Sequence, residues 1–89
     1  MPTIHLTRHL RNVAPGGPLD VDGATLGAAL DAYFAAVPKA RSYVLDDQER
    51  LRRHIAVFVD GELLIDKTNL TLPVAPRTEI YVMQALSGG

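Results

Sequence analysis

The chain has 89 residues and a formal net charge of −1, with 47% apolar and 21% charged residues, as expected for one small globular domain. This charge excludes the electrostatic footprint of a nucleic-acid-binding domain, and the absence of cysteine excludes disulfides, thiolate metal sites and cysteine nucleophiles. No signal peptide is evident, and no apolar run approaches the roughly 18 residues of a membrane helix. We therefore expect a cytoplasmic protein that binds neither nucleic acid nor a membrane.

The first 21 residues predict a β-hairpin. Residues 2–10 alternate between apolar and polar, with Ile4 and Leu6 on one face, which is typical of a strand. Residues 13–18 are rich in glycine and proline, which favours a turn. The alternation resumes over residues 19–21, so a short second strand should return beside the first.

One amphipathic helix of about 12 residues follows. Thr25 is placed to cap its N-terminus, and Pro38 ends it. Gly27 lies inside the helix, where glycine costs about 1 kcal/mol relative to alanine. The apolar residues that recur at helical spacing are Leu26, Ala29, Leu30, Tyr33 or Phe34, and Val37.

The middle of the chain predicts a second hairpin. Residues 39–53 are interpreted as a connector with a turn or a small hairpin. Ile55–Val59 is rich in β-branched residues and predicts a strand. The pair Asp60-Gly61 is the strongest hairpin-turn signal in the chain, and residues 62–65 should form the returning strand.

The last strand, residues 79–84, follows a polar loop over residues 66–76. One helix can cover only one face of a sheet of four or five strands, so the sequence predicts an α+β fold with a mixed sheet and one main helix packed on one face. The predicted core joins residues of the helix to inward-facing strand residues, namely Leu26, Leu30, Phe34, Val37, Ile4, Leu6, Ile55, Val57, Ile80 and Val82.

Residues 85–89 are predicted to form an extended, flexible tail after a domain spanning residues 1–84. The sequence ends in Gly88-Gly89. Glycine has no Cβ, so such a tail can thread a narrow channel and present its terminal carboxylate to another protein. Five extended residues reach roughly 17 Å. The alternative is a frayed end or a remnant of cloning.

The element order and the final residues together resemble a known family. The resemblance covers essentially the whole chain and rests on residues 24–26, 37–38, 55–62 and above all Leu86-Ser87-Gly88-Gly89. These features are similar to the ubiquitin-like β-grasp sulfur carriers of the MoaD/ThiS family, which include the small subunit of molybdopterin synthase and the thiamine sulfur carrier. Many molybdopterin-type members carry Phe-Pro-Pro where this chain has Met83-Gln84-Ala85, so the resemblance selects no pathway.

The resemblance implies a carrier protein that binds no cofactor itself and is not an enzyme. In this family a ubiquitin-activating-type adenylyltransferase uses ATP to adenylate the last glycine, here Gly89, and a sulfur donor converts it to a thiocarboxylate. A sulfur-accepting synthase then takes the sulfur. If the protein is made as a longer precursor, a metalloprotease that trims it is a further partner. Leu86, Ser87 and Gly88 would complete the reactive tail.

Two other functions stay open. The same tail could be joined through Gly89 to lysines of target proteins, as in a ubiquitin-like modifier. The domain could also be a β-grasp interaction module whose Gly-Gly end is incidental.

A partner-binding surface is predicted on the face of the sheet that the helix leaves open. Alternation places Tyr81 and Met83 opposite Ile80 and Val82, and it places Phe58 on the same open face. An exposed apolar patch often marks a binding surface. The alternative is that the connector of residues 39–53 folds over these three side chains and buries them.

The remaining charged residues give weaker signals. A basic run could dock an acidic partner, although a solvated strand face explains it more simply; it comprises Arg50, Arg52, Arg53 and His54. A cluster of acids lacks the spacing of a calcium loop and is interpreted as a turn; it comprises Asp46, Asp47 and Glu49. No metal-ligand spacing or obvious carboxylate partner is found for His5, His9 or His54.

Overall fold

The computed structural model describes residues 1–6 and 17–84. These residues form five strands and two helices in an α+β arrangement, as the sequence predicts apart from the second helix. In chain order the elements are β1 (Thr3–Leu6), β2 (Leu19–Asp20), α1 (Leu26–Ala36), α2 (Pro38–Val44), β3 (Ile55–Val59), β4 (Glu62–Leu63) and β5 (Glu79–Gln84).

The sheet is mixed and has the strand order β2-β1-β5-β3-β4. Strand β5 lies in the centre, parallel to β1 and antiparallel to β3. Val82 is the registry partner of Val57 on β3 and of Leu6 on β1, so apolar side chains of three strands lie side by side. The predicted strand count and sheet type are therefore confirmed.

The turn between β3 and β4 has the geometry that its sequence predicts. Asp60 and Gly61 both have positive φ, at 50° and 84°, as a type I′ hairpin turn requires. The returning strand is shorter than expected, since only Glu62–Leu63 pairs as a regular strand.

Helix α1 begins at the predicted cap. The backbone N–H of Ala28 donates to the Thr25 hydroxyl at 3.2 Å. The loop before β5 supplies acceptors for the next free N–H groups, because Gly27 donates to the carbonyl of Leu70 at 2.8 Å. A Cβ on residue 27 would lie 3.0 Å from that carbonyl oxygen, so this close contact explains a glycine inside the helix.

Helix α2 occupies the first half of the predicted connector. Pro38 ends α1 as expected, but it also stands at the first turn of α2, where its missing N–H is not needed. Only Ala40 and Val44 of this helix are buried, and two apolar residues give too weak a periodicity for sequence-based prediction. The small hairpin is present as one bridge between Leu45 and Leu51.

The core lies between the sheet and the two helices. The predicted core residues are buried, except that Leu6 and Val37 are half-buried. Tyr33 and Phe34 are both inside, at 1% and 4% exposure, with their rings packed edge to face. The second helix and the residues after it add four further members, namely Ala40, Val44, Leu45 and Leu51.

Candidate functional site

The central strand β5 presents two contrasting faces. Ile80 and Val82 have no exposed surface, whereas Tyr81 between them is 39% exposed and Met83 is half-buried. Because successive side chains of a strand point to opposite faces, Tyr81 and Met83 lie on the side of the sheet away from the helices. This surface is called the open face below.

The open face carries a row of side chains that crosses four strands. His5 of β1 pairs with Tyr81 of β5, Tyr81 with Phe58 of β3, and Phe58 with Leu63 of β4. Leu63 is 47% exposed and extends the apolar part of the row to the edge of the sheet. The structure thus brings Phe58 and Tyr81 directly opposite each other.

Met83 lies two residues further along β5, opposite Ala56 of β3. The three residues predicted to bind a partner therefore share one surface, which we call the apolar patch: Phe58, Tyr81 and Met83, with Leu63 at its edge. Leu63 was not predicted, although its alternation with the half-buried Leu64 was a usable signal.

The connector does not cover the apolar patch. Ala40 and Val44 of α2 join the core between the helices and the sheet. Leu45 and Leu51, which flank the turn after α2, are buried in the same core. The alternative in which residues 39–53 fold over the open face is wrong.

Two polar side chains, those of His5 and Glu79, flank the apolar patch. The rings of His5 and Tyr81 are stacked, with centroids 4.2 Å apart and planes 5° from parallel. His5 Nε2 lies 2.9 Å from Glu79 Oε1 and donates to that carboxylate. The expectation that His5 has no carboxylate partner is therefore wrong. The two residues are 74 positions apart in sequence, and only the parallel pairing of β1 with β5 brings them together.

The central strand also leads to the predicted reactive tail. Gln84, the last residue of β5, pairs with Ile55 at the start of β3. Gly88-Gly89 follows Gln84 after three residues of sequence. All five residues of the predicted tail, 85–89, lie outside the described residues, including the predicted site residues Leu86, Ser87, Gly88 and Gly89.

The acidic cluster after α2 is a turn. The Asp46 carboxylate accepts from the backbone N–H groups of Gln48 at 2.8 Å and Arg50 at 3.0 Å. These bonds, chiefly the one from Arg50, hold the pKa of Asp46 below its usual value.

Within residues 1–6 and 17–84, no group of three or more histidine or carboxylate side chains could hold a metal ion. None of the helices in that part of the chain has the length and apolar character needed to cross a membrane.

Comparisons with known proteins agree with this architecture. Neither the protein-family profiles nor the curated protein sequences gave a match. Among solved structures, the chain is 35% identical to SAMP1 of Haloferax volcanii, with a TM-score of 0.80 over 99% of this chain and 98% of that one. A chain of the Amycolatopsis orientalis BexX/CysO complex is 23% identical, with a TM-score of 0.84 over the full length of both chains. Urm1 from Trypanosoma brucei is 19% identical, with a TM-score of 0.73 over 99% of this chain and 94% of that one.

The last two similarities, at low identity, show a shared β-grasp fold. The similarity to SAMP1, the small archaeal modifier protein 1, is high enough over the whole length to show kinship. The protein therefore belongs to the MoaD/ThiS family of small ubiquitin-like β-grasp carriers and modifiers.

Proposed function

We propose that this protein is a sulfur carrier whose reactive group is the α-carboxylate of Gly89. The observation that carries the proposal is the position of Gly88-Gly89, three residues after the central strand of a β-grasp domain. The proposal holds whether the chain is synthesised to Gly89 or trimmed back to it by a metalloprotease.

The chemistry begins from an unreactive group. An α-carboxyl has a pKa of about 3.5 and is ionised at neutral pH, and a carboxylate is a poor electrophile. An oxygen of the Gly89 carboxylate attacks the α-phosphorus of ATP, pyrophosphate leaves, and an acyl-adenylate forms. A hydrosulfide-level sulfur donor then attacks the acyl carbon and AMP leaves, which gives the thiocarboxylate.

This chain supplies the acyl group and its partners supply the rest. With no cysteine among the 89 residues, the chain cannot form a thioester or hold a persulfide on its own side chains. The ATP site and the sulfur donor are therefore assigned to a ubiquitin-activating-type adenylyltransferase and its sulfur source. A synthase that accepts the sulfur is the third partner.

The apolar patch is the proposed docking surface for these partners. Tyr81 and Met83 lie on the strand that leads to the tail, so a partner that grips the tail must lie close to them. Phe58 is the registry partner of Tyr81 and widens the contact. Interface energy is usually concentrated in a few central aromatic and apolar residues of this kind.

A second candidate function is attachment to other proteins through Gly89. It is favoured by the 35% identity to a protein that is named as a modifier. Activation of the carboxylate is shared with the first function, and only the acceptor differs. In this case a lysine amine attacks the acyl carbon of the adenylate, AMP leaves, the amine loses a proton, and an isopeptide bond forms.

Intact-mass spectrometry of the protein isolated from its native host separates the two functions. A mass increase equal to the replacement of one oxygen by sulfur supports the carrier. A ladder of larger species whose branched peptides end in Gly-Gly on lysine supports the modifier. If neither product is found and no host activating enzyme adenylates the protein, both functions are contradicted.

A further inference from the structure

The last three residues of the basic run, Arg52, Arg53 and His54, form a fixed turn. The N–H of Ile55 donates to the carbonyl of Arg52 at 3.0 Å, which closes a tight turn with Arg53 and His54 at its two central positions. Both central side chains are exposed. The ammonium of Lys67 donates to the carbonyls of Arg52 at 2.6 Å and Arg53 at 3.1 Å. The backbone of the turn is therefore held in place independently of the side chains of Arg53 and His54.

This turn lies beside the end of β5, after which the predicted tail begins in sequence. Ile55, which follows the turn directly, is the registry partner of Gln84. In an antiparallel pair the Cα atoms of opposed residues are only about 4.5–5.5 Å apart. Arg53 and His54 therefore lie beside Gln84, the last residue of β5, which precedes the predicted tail in sequence.

The charge of the turn is not neutralised by the nearby acids. Asp46 accepts from the N–H of Arg50 and pairs with its side chain at 3.6 Å. Glu49 pairs with Arg41.

Asp66, which adjoins Lys67 in sequence, accepts from the backbone and side chain of Thr68. Within the described ranges no carboxylate forms an ion pair with Arg53 or His54. The turn is thus a net positive feature on a chain whose overall charge is slightly negative.

We propose that Arg53, supported by His54, docks against an acidic rim around the channel through which the activating enzyme takes the tail. This inference rests on the proposed function, since it concerns the same activation step. The apolar patch would supply most of the affinity, and the cationic turn would speed and orient the encounter.

The geometry favours an acidic protein surface over the phosphates of ATP as the partner of this turn. Five extended tail residues place the Gly89 carboxylate as far as roughly 17 Å from Gln84. That distance exceeds the Debye length of about 8 Å at physiological ionic strength. A contact made by Arg53 therefore falls at the mouth of the channel.

A matched pair of charge reversals tests the proposal. Arg77 is also exposed and lies in a tight turn, closed by the N–H of Thr78 and the carbonyl of Ala75 at 3.0 Å, but at the opposite end of β5. Arg53→Glu and Arg77→Glu change the net charge equally, so they differ only in position.

The measurement is ATP–pyrophosphate exchange by the host adenylyltransferase, with the carrier as varied substrate. At low salt we expect Arg53→Glu to raise the KM for the carrier about tenfold with kcat unchanged, and Arg77→Glu to behave like wild type. The difference should shrink as salt is raised toward 1 M, where the Debye length is about 3 Å. Arg53→Lys, which keeps the charge, should restore most of the loss.

Several outcomes would overturn the inference. These are equal KM values for the two glutamate variants, a loss that does not depend on salt, or no rescue by lysine. If Arg53→Glu melts early, Arg53→Ala against Arg77→Ala makes the same comparison. Failure of the wild-type carrier to support exchange with any host adenylyltransferase would instead contradict the proposed function.

Discussion

The two faces of strand β5 differ in burial, and we propose that the buried face serves stability and the open face serves recognition. Ile80 and Val82 are fully buried beneath the helices, whereas Tyr81 on the other face is 39% exposed. Burying a large aliphatic side chain stabilises a fold by about 1.5–3 kcal/mol, so the helix-covered face carries most of the folding free energy. The side chains of the open face are less buried in the described structure and contribute less to folding. We propose that they are apolar because they contact a partner.

The contrast between the two faces of β5 also predicts which substitutions affect activation and which affect stability. The tail follows in sequence the strand that carries Tyr81 and Met83 of the open face, and neither of these two residues belongs to the core beneath the helices. Substitutions in the tail should therefore change activation and leave the melting temperature alone, and those on the open face should weaken partner binding with only a small loss of stability. Substitutions on the buried face should do the reverse.

The largest expected effect is that of Gly88→Val on activation. A side chain near the end of the tail should block a narrow channel, so we expect ATP–pyrophosphate exchange to be abolished with no change in thermal unfolding. Ala85→Val is the matched control, because it adds a branched side chain at the start of the tail. Unimpaired exchange by Gly88→Val would remove the steric argument, and an early melt would mean that the tail supports the fold.

Adjacent residues of β5 give the sharpest test of the two faces. Ile80→Ala should lower the free energy of unfolding by about 2–5 kcal/mol, because it opens a cavity in the core. Tyr81→Ala loses cross-strand contacts with Phe58 and His5, which are worth roughly 1 kcal/mol or less each. Urea denaturation of both variants measures the difference. Similar losses at the two positions would show that the open face also carries stability.

The two faces of β5 could be predicted from the sequence because successive side chains of a strand point to opposite faces. This alternation assigned Ile80 and Val82 to the core and Tyr81 to the open face, and the Asp60-Gly61 pair fixed the hairpin turn. These signals are local, since each depends on a few neighbouring residues.

The features that could not be predicted depend on long-range pairing or weak patterns. The His5–Glu79 contact requires the parallel register of β1 and β5, which no local pattern encodes. Helix α2 has only two buried side chains, and its first residue, Pro38, is also the residue that ends α1. The position of the basic turn beside Gln84 likewise follows from the β3–β5 register.

A smaller effect is expected from a charge placed in the apolar patch. Met83→Asp should weaken binding to the activating enzyme about tenfold or more, which corresponds to about 1.4 kcal/mol, and should leave the fold intact. Ala28→Asp is the control, since Ala28 is exposed in the first turn of α1, where a negative charge is tolerated. Calorimetric titration and a melting curve check both properties. Early melting would show that Met83 belongs to the core, and unchanged affinity would show that the partner grips the tail alone.

The smallest expected effect concerns a polar atom in the core, on helix α1. Tyr33 is 1% exposed, and its hydroxyl has no hydrogen-bond partner among the described residues. An unsatisfied buried hydroxyl is costly, so Tyr33→Phe should raise the free energy of unfolding by about 1 kcal/mol. Tyr43→Phe is the control, because Tyr43 is 53% exposed and its substitution should change nothing.

The pH dependence of the same pair of variants gives an independent check. Burial raises the pKa of the Tyr33 hydroxyl above its usual value of 10.0, so the folded protein keeps a proton that the unfolded chain releases. Wild-type stability must therefore fall as the pH rises through that value, because the unfolded state then binds fewer protons. Tyr33→Phe lacks this loss, and its advantage over wild type should widen in alkaline solution, whereas Tyr43→Phe should track wild type. If Tyr33→Phe is instead less stable than wild type at neutral pH, the hydroxyl is hydrogen-bonded in the folded protein, and the core contains no polar defect at this position.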